Sequence, residues 1–108
     1  MIIESVRIVV RPAMYEELRR ALIAWVGPTE VEPGCIKCQI LQEANDPQVF
    51  SYGAHWRSEH DLLRHVRSEH YKRLLALMDL GDRPPLVEFH TVGETRGLDL
   101  IERARTMS

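Results

Sequence analysis

Residues 56–75 read WRSEHDLLRHVRSEHYKRLL. An alternating, apolar run closes at Trp56, and Ser58 then offers a strong helix N-cap with Asp61 at the capping-box position. Ser68-Glu69 repeats the cap signal, so the helix that starts at Ser58 is expected to break softly near Ser68 and restart. His65, His70 and Tyr71 follow Trp56 along this broken helix. An indole, two imidazoles and a phenol therefore gather at one end of a sheet. Such groups can line an apolar pocket and still offer a proton or a hydrogen bond.

Working outward, residues 2–10 alternate as a strand, with Glu4, Val6, Ile8 and Val10 on one face and Ile3, Ser5, Arg7 and Val9 on the other. Met14, Leu18, Ala21, Leu22 and Trp25 carry helical spacing over 13–26, and Gly27-Pro28 is expected to end that helix. Pro33-Gly34 reads as a turn and 35–43 as a second strand, with Ile36, Cys38 and Ile40 sharing a face. After the Asn45-Asp46-Pro47 turn, a third strand spans 48–56 and places Phe50, Tyr52, Ala54 and Trp56 on one face. The restarted helix closes at Gly81, Pro84-Pro85 blocks its continuation, and 86–92 form a fourth strand. Gly97 precedes LDLIERAR, a short final helix or arm.

The order β-α-β-β-α-β is the ferredoxin-like pattern, an α+β fold with a four-stranded antiparallel sheet and both long helices on one face. Residues 1–95 are expected to form this domain, with 96–108 as its C-terminal helix or arm. The helix-free face is expected to carry Phe50, Tyr52 and Trp56, plus Val9 or Val10. Bare apolar sheet of that kind marks a partner surface or a pocket, and two such sheets face to face would enclose a cavity.

The chain has 108 residues, 44 % of them hydrophobic, and a formal net charge of -2. That bounds it to one domain and argues against a nucleic-acid partner, which needs a basic surface. No apolar run approaches the ~20 residues that cross a bilayer. Met1 leads directly into a strand-like segment with no basic n-region, so a cytoplasmic protein is the expectation. Cys35 and Cys38 have CxxC spacing but fall in a strand, where residues three apart point to opposite faces, so two reduced thiols are expected. His55, His60, His65 and His70 recur every five residues. On a helix that step turns roughly 140°, so neighbours splay and no metal site is expected.

With these residues identified, the chain resembles the antibiotic biosynthesis monooxygenase family. The likeness is carried by the Pro33-Gly34-Cys35 turn, the FSYGAHW strand ending in Trp56, the Ser58-to-Tyr71 segment and the closing strand at Pro84–Phe89. The resemblance implies ferredoxin-like units pairing into a dimeric α+β barrel. It also implies a cofactor-independent oxidation of a quinol or polyketide-type phenol by O2, with a small aromatic substrate and no membrane contact. Other members degrade haem or act without oxidation. Many members carry an acid where this chain has Ala54. The haem-degrading branch has an axial histidine about where Leu74 or Leu75 stands and a tryptophan near His65, and this chain has neither.

The candidate catalytic residues are His65 and His70 as bases and Arg7 as an anion stabiliser. The candidate substrate-binding residues are Trp56, Tyr52, Tyr71 and Phe50. Each also has a plain structural reading: a hydrogen-bonded helix histidine, a core or interface aromatic, or, for Arg7, a salt bridge to Glu88 or Glu4. A dimeric binding module without catalysis is the alternative function, and an isomerase or haem-handling protein stands behind it.

Overall fold

A computed structural model describes residues 1–107. The elements run β1 (Ile2–Val9), a short 3-10 turn (Pro12–Met14), α1 (Tyr15–Glu30), β2 (Cys35–Gln42), β3 (Val49–Trp56), α2 (Glu59–Val66), α3 (Glu69–Asp79), β4 (Leu86–Thr91) and α4 (Leu98–Thr106). The four strands form one antiparallel sheet in the order β2-β3-β1-β4. This is the α+β, ferredoxin-like arrangement expected from the element order.

The helix break falls where the two serines put it. Ser58 Oγ accepts from the Asp61 backbone N–H at 3.2 Å, and Ser68 Oγ accepts from the Tyr71 backbone N–H at 3.1 Å. The Asp61 carboxylate also accepts the Ser58 hydroxyl and pairs with Arg64, whose guanidinium reaches the Pro33 carbonyl. This corner ties the Pro33-Gly34 turn to the start of α2.

Three expectations are corrected. First, α1 does not stop at Gly27-Pro28 but continues through Pro28 to Glu30. A proline inside a helix removes one N–H and crowds the carbonyl four residues back. The last turn is held because Trp25 and Thr29 are both buried and Thr29 Oγ1 donates to the Trp25 carbonyl at 2.8 Å.

Second, the helices cover the aromatic face of the sheet. Phe50, Tyr52, Ala54 and Trp56 join Val6, Ile8 and Val10 in the core with Leu18, Leu22, Trp25, Leu62, Tyr71 and Leu74. The open face carries the other alternating set, Ile3, Ser5, Arg7, Val9, Ser51, Gly53 and His55, which is mixed in character. The helices take the face with the larger apolar area because burial there removes more of it from water.

Third, Cys35 and Cys38 lie on the same face. A bulge between Cys35 and Lys37 sets Cys35 opposite Trp56 and Cys38 opposite Ala54, both on the helix side. The extra residue also pushes Ile36 out to 50 % exposure, off the face expected for it. Burial pushes the Cys38 thiol up to about 12 and raises Cys35 as well, so both stay protonated at neutral pH.

The end of the chain is different in kind. Every residue of α4 is exposed. The Cα radius of gyration is 16.2 Å, against about 13 Å for a compact chain of this length. No helix among the described residues is long and apolar enough to cross a membrane.

Gly34 has φ +83°, and a Cβ there would collide with the Asp61 carboxylate. Gly34→Ala should therefore destabilise the fold by more than ~1 kcal/mol. Urea unfolding followed by circular dichroism measures this, and a midpoint equal to that of the parent would contradict it.

Candidate functional site

The site grows from one charged residue on an apolar strand face. Glu4 lies in β1 between residues that face the helices, and its side chain is fully buried. An ionised carboxylate in such a place needs partners. Oε1 accepts from the Tyr52 hydroxyl at 2.7 Å and from Trp56 Nε1–H at 3.1 Å. His65 Nε2 lies 3.5 Å from the same oxygen and 3.3 Å from the Tyr52 hydroxyl. Glu4 Oε2 has no hydrogen-bond partner. Glu4 is also the register partner of Ala54, so a carboxylate reaches this place from the neighbouring strand.

His65 links the core to the surface. Its Nδ1 stands 2.7 Å from Glu32 Oε2, and its ring stacks on Trp56 with centroids 4.3 Å apart. Glu32 lies beyond α1, and its side chain is 20 % exposed, whereas those of His65 and Glu4 are wholly enclosed. Every polar neighbour of the imidazole is thus an oxygen, one set on each ring nitrogen. Hydrogen bonding on both sides needs a proton on each N···O line, supplied by the ring or by a carboxyl group. Because the carboxylates sit on opposite edges of the ring, they do not converge on a point. No group of three His, Cys, Asp or Glu residues forms a metal-ligand set among the described residues.

His70 occupies a second layer. Its Nε2 lies 2.8 Å from Thr29 Oγ1. The single hydroxyl proton of Thr29 is already committed to the Trp25 carbonyl, so His70 Nε2–H must donate. Neutral His70 therefore holds its lone pair on Nδ1. Its ring stacks on Trp25 with centroids 3.7 Å apart and planes within 7°. Burial holds its pKa below the ordinary 6.5; Glu32 opposes this, and His65 and Arg73 reinforce it. The Trp25 ring also lies edge-on to Tyr52 at 5.9 Å, so it separates His70 from the Glu4 cluster.

A groove of about 360 Å³ opens between α1 and α3 on the outer side of Trp25 and His70. The candidates named from sequence fall in three places. Trp56, Tyr52, Phe50, Tyr71 and His65 are buried in the core. His70 lines the groove. Arg7 is on the opposite face of the sheet, paired with Glu43 at 3.1 Å instead of Glu88 or Glu4. The structure thus brings Trp56, Tyr52 and His65 together, adds His70 one ring away, and separates Arg7 from all of them.

Burial, the neighbouring Glu4 charge and their hydrogen bond push the Tyr52 phenol far up, while the Trp25 indole opposes this slightly without completing a hydrogen bond. Burial and Glu4 raise Tyr71 in the same way. Both phenols are therefore neutral at physiological pH, and Tyr52 is a donor to Glu4.

Four participants escaped the sequence reading: Glu4, Glu32, Trp25 and Thr29. Glu4 had a signal, a carboxylate on the apolar face of a strand. Thr29 and Glu32 were hidden because α1 was expected to end before them.

The family profile described as antibiotic biosynthesis monooxygenase matches residues 1–77. Among solved structures, a "putative antibiotic biosynthesis monooxygenase" from Deinococcus radiodurans is 19 % identical with TM-score 0.82, covering 90 % of this chain and 97 % of its own. Rv0793 from Mycobacterium tuberculosis is 25 % identical with TM-score 0.80, covering 89 % and 98 %. A Bacteroides thetaiotaomicron protein described as a possible oxidoreductase is 19 % identical with TM-score 0.75, covering 82 % and 94 %. Among curated proteins, none matches the chain in sequence.

His65 is completely buried, so its loss reaches the core. His65→Ala should cost ~3 kcal/mol or more, because it opens a cavity and removes the ring that stands between the Glu4 and Glu32 carboxylates. His70→Ala, at a partly exposed position, should cost clearly less. Parallel denaturant titrations of the two variants decide the order.

Proposed function

Since the chain belongs to the antibiotic biosynthesis monooxygenase family, we propose that it is a cofactor-independent monooxygenase oxidising a quinol or polyketide-type phenol with O2. The observation that carries this reading is His70, an imidazole biased to its neutral form, with Nδ1 as its lone-pair nitrogen, on the wall of an apolar groove. A general base needs that protonation state and a proton within reach.

In the proposed reaction, His70 Nδ1 takes the hydroxyl proton of the bound phenol. The phenolate passes one electron to O2, giving a substrate radical and superoxide. These combine through a new C–O bond to a peroxide anion, which His70 reprotonates. Cleavage of the O–O bond with loss of the proton on the same carbon leaves a carbonyl and releases water. One oxygen atom enters the substrate, the other leaves as water, and no outside reductant is needed. Trp56 and Tyr52 act at a distance here: their N–H and O–H both bind Glu4, and they hold the carboxylate behind Trp25. Arg7 has no part in this scheme, since it lies on the other face of the sheet.

A second reading, a binding module without catalysis, is favoured by one observation: Glu4, Trp56 and His65 are sealed from solvent. Oxygen uptake with dihydroxynaphthalene-type and anthrone-type substrates separates the two. Wild type should consume O2, and His70→Ala should be slower by ~10²-fold, the low end for losing a general base. The acid limb of the wild-type rate should have its midpoint below 6.5, because His70 stays neutral to lower pH than a free imidazole. No uptake by the wild type over a panel of such substrates would favour the binding module. Equal rates for wild type and His70→Ala would remove His70 from the mechanism.

The proposed working unit is a homodimer joined through the open sheet face. Ile3, Val9, Leu41 and Leu86 supply apolar area there, with Leu41 and Leu86 each 55 % exposed. Sedimentation at micromolar concentration should return twice 12.5 kDa, and a monomer at that concentration would count against the pairing.

A further inference from the structure

We propose that the groove between α1 and α3 selects flat aromatic anions, an aromatic carboxylate above all, with Arg73 as the anion-binding residue. This names a substrate class for the groove described above; the oxidation rests on the preceding reading, but the binding does not.

The slot is built from small side chains. Ala21, Ala24 and Pro28 on α1 face Ala76 and Leu77 on α3, and the paired rings of Trp25 and His70 close its inner end. Its volume of about 360 Å³ lies within the range of small-ligand sites, roughly 300–1,000 Å³. Three alanines leave a narrow gap between two helix surfaces, which a planar ring system fills better than a branched chain does.

Charge then distinguishes one end. A second depression lined by Glu69, Lys72 and Arg73 shares His70, Arg73 and Ala76 with the slot, so Arg73 stands at the junction. Lys72 is neutralised by Glu69 at 3.1 Å. Arg73 has no ion-pair partner among the described residues, which leaves an unneutralised guanidinium beside an apolar slot. A planar guanidinium can grip a carboxylate with two parallel N–H···O bonds. A ligand carrying both an aromatic ring and a carboxylate satisfies slot and cation together.

Calorimetric titration with 1-naphthoate and its uncharged analogue 1-naphthamide tests this on the intact chain, alone and as Arg73→Gln and Ala76→Leu. Arg73 and Ala76 are exposed, so both variants should fold, which circular dichroism checks. Wild type should prefer naphthoate by about ten-fold. Arg73→Gln should abolish that preference while keeping naphthamide binding. Ala76→Leu should weaken both ligands by filling the slot. Equal affinity for the two ligands in wild type overturns the anion selectivity and leaves the proposed oxidation untouched. Failure of both ligands to bind overturns the site. Selective naphthoate binding without O2 consumption on any phenol would uphold this inference and sink the oxidation.

Discussion

The carboxylate of Glu4 is the constraint around which the core is arranged. Taking an ionised carboxylate out of water costs several kcal/mol even after relaxation. The fold offsets this by aiming three polar groups at one oxygen: a phenol, an indole N–H and an imidazole. They come from two elements, β3 and α2. Tyr52 and Trp56 are four residues apart on β3, two full strand periods, so both fall on the face that Glu4 occupies across the ladder. His65 arrives from α2, whose start is fixed by Ser58 and whose end is fixed by the restart at Ser68. Moving β3 by one residue would turn both donors away and strand the carboxylate, so the cluster and the strand register support each other.

The contacts of Thr29 and Glu32 account for the unusual end of α1. A helix ending at Gly27 would not carry Thr29 to the Trp25 carbonyl, nor the chain on to Glu32 beside His65. Continuing through Pro28 costs a hydrogen bond and some crowding, ~3 kcal/mol in an ordinary helix interior. The returns are a buried Thr29 that fixes the His70 tautomer and a second carboxylate on His65. Helix propensity is a weak prior, and here tertiary packing overrides it.

Much of the fold was legible in the sequence because it is written in short-range signals. Period-two alternation, two serine caps, and Gly or Pro at each turn place the strands and the helix break. The site was legible only in part. Trp56, His65 and His70 announce themselves by type and place, but alternation defines two sheet faces without saying which one the helices cover. The cysteine faces were missed because a bulge adds one residue to β2 and inverts the parity beyond it. Arg7 was misplaced as a site residue because strand position alone cannot reveal a partner 36 residues away. Glu4 was visible as an anomaly, a charge among Val6, Ile8 and Val10, yet its neighbours Tyr52, Trp56 and His65 are 48 to 61 positions distant in sequence.

The arrangement divides stability from access. Glu4, Tyr52, Trp56 and His65 form a sealed inner layer in which every change disturbs a buried charge. His70 stands outside Trp25, half-buried, with its tautomer fixed by a threonine and its ring held by stacking. An inner cluster of this kind makes a poor site of attack on a bulky aromatic, since a planar substrate would have to displace core rings. It makes a good foundation, because Trp25 packs on Tyr52 and His65 on one side and on His70 on the other. The energetic commitment of the core is thereby transmitted as ring orientation to the one imidazole that borders both the groove and solvent. The chemistry proposed at His70 can then vary with the small residues of α1 and α3 while the buried carboxylate stays as it is.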